Sequence, residues 1–178
     1  MMKIAMFIFW LSPCFLLAAE LSPYAGEEKR TVKSLSLDDI ASLKGGDGMG
    51  FAKLAELNHF PGPKHVLQLS ETLELTASQL SASQALFAEM HSNAVSLGER
   101  LIEAESALDR LFELNTVNAA SLESALMHIG SIRAQLRYVH LEAHLRQKEL
   151  LTDAQVSKYD ELRGYGGNAH DNNHHGNH

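Results

Sequence analysis

Leu80, Phe87, Ala94, Leu101 and Leu108 recur every seven residues, and Ser83, Met90, Leu97, Ala104 and Leu111 interleave with them in a 3–4 repeat. A stripe of that period, held for about five heptads, constrains the chain to one long amphipathic helix. The spacing predicts this helix over Ala77 to about Glu113, with Glu89, Glu99, Arg100, Glu103 and Arg110 off the stripe. At 1.5 Å per residue it is ~55 Å long. Gly98 is a mild weak point inside it. Asn115 to Asn118 reads as a turn with Asn118 as N-cap. A second stripe of similar length follows: Leu122, Ala125, Ile129, Ile132, Leu136, Val139, Ala143 and Leu150. Two such helices joined by a short loop make an antiparallel hairpin. Only four prolines and few β-branched runs argue against a β fold. The expected fold class is all-α, a long antiparallel helical hairpin with short flanking helices.

The ends of the hairpin carry a repeated spelling, Leu75-Thr76-Ala77-Ser78-Gln79 and Leu151-Thr152-Asp153-Ala154-Gln155. Each copy is a helix start. The Thr76 or Thr152 oxygen can accept from the N–H of the third helical residue, and Gln79 or Gln155 can reach back to the N-cap N–H, a capping box. Leu75 with Leu80, and Leu151 with Val156, supply hydrophobic staples. Such a box contributes on the order of 1 kcal/mol, so its expected role is architectural alone, the alternative being that the boxes shape a binding surface where the two helix starts meet.

Ahead of the hairpin, Ser36 to Asp39 caps a short helix, Leu37 to Leu43, stopped by Gly45-Gly46. Phe51 to Leu57 reads as another, and Asn58 to Pro63 is a break. Pro63 suits the first turn of a helix running to about Leu73. Thr152 opens a last helix ended by Gly164. The expected organisation is a signal peptide over 1–19, a flexible region with short helices over 20–62, the hairpin domain over 63–164, and a disordered Gly/Asn/His-rich tail over 165–178. A two-helix hairpin has a narrow core that cannot cover both stripes. Short flanking helices or a second copy must do so, and a homodimer is the expectation.

Met1 to Ala19 has Lys3 as its positive region, an apolar run from Ile4 to Leu17, and Ala18-Ala19 for cleavage, although Leu17 is imperfect at its position. The run is shorter than the ~20 residues of a membrane span and contains Pro13. Export to the periplasm is expected, with membrane association only if the segment stays uncleaved. Acylation of Cys14 would need a small residue where Pro13 stands. Cys14 is the only cysteine, so the processed chain would have no disulfide, thiolate zinc site or cysteine nucleophile. The net charge of -7 becomes about -8 once Lys3 is lost, which argues against nucleic acid as a partner.

The two boxes, the leader and the helical hairpin together resemble the LTxxQ family of bacterial periplasmic proteins over roughly Pro63 to Arg163. That family includes Spy/CpxP-like chaperones and, more distantly, heavy-metal sensor and resistance proteins. The segments from Pro61 to Leu69 and from Leu136 to Leu145 look like the metal-resistance branch. The resemblance implies a cradle-like homodimer that holds unfolded client proteins, or a membrane sensor kinase, on a concave face without nucleotide. Arg133, Arg137, Tyr138 and Arg146 flank the second stripe and are candidates for that client surface.

Metal binding is the alternative. His140 and His144 lie four apart and so project from one face of a helix. With His65 as third ligand, or less readily Glu142 or Glu71, they would hold zinc, nickel, cobalt or copper. The plainer reading makes them surface histidines at the margin of the stripe. His170, His174, His175 and His178 form a tract able to chelate the same ions. Met49, between glycines, is a soft copper donor; Met90 and Met127 read as packing residues. No cofactor is required by the chaperone reading, and a divalent transition metal by the other. No nucleophile–base set, phosphate loop or carboxylate pair points to an enzyme. The expected function is a periplasmic chaperone or envelope-stress adaptor; the rivals are a metal sensor or resistance protein, and a helical adaptor with neither client nor metal.

Overall fold

A computed structural model describes residues 21–165. Residues 1–19, expected to form a leader, and the histidines at 170, 174, 175 and 178 lie outside the described residues. The described part is all helical. After a short 3-10 turn at Glu27–Lys29 come α1 (Leu37–Lys44), α2 (Lys53–Glu56), α3 (Pro63–Gln68), α4 (Ala77–Glu113), α5 (Ala119–Leu150) and α6 (Asp153–Arg163). The helices α4 and α5 pack along each other as the antiparallel hairpin.

The caps form as the residue types dictate. Ser36, Thr76, Asn118 and Thr152 each accept from the third helical N–H, and each box closes reciprocally. Asn118 does so with Ser121 in place of the usual Gln or Glu. Gly164, at φ 76, ends α6 in the left-handed conformation that glycine adopts without a Cβ penalty.

The main core joins Ala94, Leu97, Leu101 and Ala104 of α4 to Ile129, Ile132 and Leu136 of α5, and is closed by Val32, Leu35 and Leu43. The region over 20–62, expected to be flexible, therefore contributes buried core from Val32 onward. Within this one chain it supplies the cover that two helices lack. Gly98 is what admits it: a Cβ there would run into the backbone carbonyl of Leu43. Its absent side chain is a packing requirement, not merely a weak point. A second cluster, Val66, Leu73 and Tyr159, ties α3 and α6 to the base of the hairpin.

Several expectations change in detail. The helix anticipated over Phe51 to Leu57 is the single turn Lys53–Glu56. That from Pro63 ends at Gln68, because Leu69 turns out of helical geometry (φ -105, ψ 13) and the chain then reverses through turns to Glu74 at φ 52. Met127, read as a packing residue, is 72% exposed. His140 and His144, placed at the margin of the stripe, are buried in it. The inward face of α5 is apolar at Ile129, Ile132, Leu136 and Ala143, but ends in His140, His144 and Gln147.

Candidate functional site

Three places carry chemistry. The first is the base of the hairpin, where the two boxes meet. Gln79 and Gln155 face each other across the starts of α4 and α6. Gln79 Nε2 donates to Gln155 Oε1 at 2.8 Å, and Gln155 Nε2 donates back to Gln79 Oε1 at 3.1 Å. The remaining donors reach the Leu150 carbonyl (2.9 Å) from Gln79 and the Leu73 carbonyl (3.2 Å) from Gln155. Each Oε1 also accepts from its own N-cap N–H, Thr76 or Thr152, at 2.9 Å. A glutamine at this position thus completes one helix start and clamps it to the other, which a Glu could not do with its acceptor-only carboxylate.

The second place is a cleft of about 490 Å³ between the Gly45–Gly50 loop, the Gly62–His65 segment and the facing sides of α4 and α5. It gathers His65, His140 and His144, the three candidate ligands, and adds His91, Met49 and Met90. Phe51 stacks on the His140 ring at 5.8 Å between centroids. His144 Nδ1 lies 2.8 Å from the Phe60 carbonyl, a bond that requires the proton on Nδ1. His140 Nε2 is buried without a partner among the described residues. Burial is the largest influence on both imidazoles and holds them below the ordinary histidine range, so both are neutral at pH 7. The Phe60 bond and the Glu56 charge oppose the shift at His144. His65 stands apart in chemistry: it is only half-buried, and its Nδ1 is 2.9 Å from Gln68 Oε1. Among the described residues no three His, Cys, Asp or Glu side chains stand close enough to hold one ion. Below the cleft, the Tyr159 hydroxyl donates to both oxygens of Glu56 at 2.9 and 3.0 Å, and burial pushes the phenol up.

The third place is the outer side of α5. At 100° per residue, Met127, Ala134, Tyr138, Leu141 and Leu145 fall on one side, opposite Ile129, Leu136 and Ala143. Tyr138 is 61% and Leu145 52% exposed. All four client-surface candidates lie on the surface of α5, in two different states. Arg133 is held at 2.6 Å by Glu105, itself buried and bonded to Ser34 at 2.9 Å, and Arg146 pairs with Glu89 at 3.0 Å. Arg137 and Tyr138 are exposed on either flank of the same turn.

Glu105, Gln147 and Glu56 have no signal in the period, because each is polar at a position that only tertiary packing encloses. Tyr159 has one, its place beside Val156 and Leu162 on the apolar side of α6, and it is buried there; its bond to Glu56 has none. Comparison with protein-family models, with curated proteins and with solved structures finds no match to this chain.

Proposed function

We propose that this protein is a periplasmic chaperone or envelope-stress adaptor that binds partly unfolded proteins without nucleotide and without catalysis. The observation that carries the reading is the apolar outer side of α5, where exposed Tyr138 and Leu145 and half-buried Leu141 run beside arginines. An exposed apolar patch of this kind rimmed by charge is the usual mark of a protein-binding surface. The LTxxQ resemblance supports the same reading, with a homodimer as the working form. The test is suppression of aggregation of an unfolding client at near-stoichiometric ratios. Tyr138→Glu with Leu145→Glu should abolish it while leaving helix content intact. No suppression by the unaltered protein at any ratio removes the reading.

A periplasmic sensor or resistance protein for zinc, nickel, cobalt or copper is the second reading. It is favoured by the meeting of His65, His140 and His144 around one cleft. Calorimetric titration with the four ions tests it. Affinity that survives His140→Ala with His144→Ala but vanishes on removal of residues 166–178 would rule out an ordered site.

A further inference from the structure

We propose that the cleft between the Gly45–Gly50 loop and the histidine side of α5 binds a small, uncharged, largely apolar molecule that donates one hydrogen bond. The volume, about 490 Å³, falls in the range of pockets that enclose organic ligands and far exceeds what one ion fills. The walls are mainly apolar and adaptable, with Phe87 and Met90 from α4 and Met49 and Ala52 from the preceding segment among the lining. Thioethers suit such a site because the unbranched chain repacks around different shapes.

The polar groups define the rest of the ligand. Lys64 Nζ lies 3.7 Å from Asp47 at the rim, and Lys53 and Glu56 carry opposite signs, so the lining presents no net charge to attract an ion. With its Nδ1 proton on the Phe60 carbonyl, His144 has a lone pair at Nε2. Gly62, in the same lining, leaves that nitrogen uncovered: a Cβ there would lie 2.8 Å from it. His140 is 3% exposed and its Nε2 is enclosed by the fold, so of the two α5 histidines it is His144 that offers an acceptor to a ligand.

N-Phenyl-1-naphthylamine is a suitable probe, being uncharged, built of two aromatic units and equipped with one N–H. Its fluorescence should rise and saturate at one probe per chain, with Kd in the micromolar range. Gly48→Trp, at a position with open space around it, should block the opening and weaken binding at least tenfold at unchanged Tm. Met49→Ser is the second variant and should weaken it severalfold. The hydrocarbon analogue with CH2 in place of N–H should bind at least fivefold more weakly than the amine. Leu145→Glu, on the outer side of α5, should leave the affinity unchanged, so the cleft and the client surface are tested separately. Unsaturable binding, binding lost with Leu145→Glu, or binding indifferent to both cleft variants overturns the proposal. So does one zinc, nickel, cobalt or copper ion per chain that depends on His140 and His144 and expels the probe, since the cleft would then be a metal site.

Discussion

Replacing Gln79 by Met keeps the length and apolar stem of the side chain and removes its amide. Four hydrogen bonds go with it: from the Thr76 N–H, to the Leu150 carbonyl, and the two exchanged with Gln155. At a net ~1 kcal/mol each the loss is about 4 kcal/mol, less about 1 kcal/mol regained by burying a more apolar group, so about 3 kcal/mol. Gln155→Met loses the same kind of set: the Thr152 N–H and hydroxyl, the Leu73 carbonyl and the shared pair. The two shared bonds are counted in both single variants. The double variant should therefore fall short of the sum by about 2 kcal/mol. Asn118→Ala is the internal reference, since its box at the hairpin tip bonds only with Ser121 and should cost about 1 kcal/mol. Urea unfolding followed by far-ultraviolet circular dichroism measures all four. If Gln79→Met costs no more than Asn118→Ala, and the two glutamine variants add to within about 0.5 kcal/mol, the paired boxes do not clamp the hairpin base.

Gly98→Ala and Gly130→Ala should move stability in opposite directions: about 1–3 kcal/mol lost at Gly98 against the Leu43 backbone, and about 0.5–1 kcal/mol gained at Gly130, whose Cβ would meet open space. Paired thermal melts check this. Ser83→Ala should cost about 1–3 kcal/mol by stranding the fully buried Gln147, whose Nε2 donates to Ser83 Oγ at 3.0 Å. Adding Gln147→Met should recover most of that loss in denaturant titrations, because no buried amide then lacks a partner. Stability should fall on acidification below about pH 6.5, where the unfolded histidines take up protons that buried His140 and His144 refuse. The folded values are depressed, so this stability is complete above the unfolded value and is lost as pH drops. The slope cannot exceed about 1.4 kcal/mol per pH unit for each histidine. Neighbouring Asp47 and Glu56 reduce it, His65 adds to it, and His140→Phe should flatten it.

The long helices, their caps and their antiparallel pairing were legible because they rest on local rules. A seven-residue repeat, an N-cap oxygen and a box glutamine act within a few residues of one another. For the same reason α4 was readable at Ala77–Glu113 and α6 from its Thr152 start. Over residues 32–62 the short helix from Leu37 and its Ser36 cap were legible, but the buried packing was not, because Val32, Leu35 and Leu43 lie in no stripe of their own; they acquire a core only by lying on α4, where Gly98 lets the Leu43 backbone approach. The α5 histidines were found by their spacing of four, but their burial was decided by Phe51, Phe60 and Gly62, from a segment eighty residues away in the chain. Periodicity records which side of a helix turns inward, and says nothing of which distant segment will cover it. The sequence by itself determined the hairpin and the two box glutamines as helix starters; only the tertiary structure made those glutamines partners and drew the histidines into one cleft. The physical reason is that capping is satisfied within a single turn, whereas a reciprocal amide pair and an enclosed imidazole exist only once the hairpin has closed.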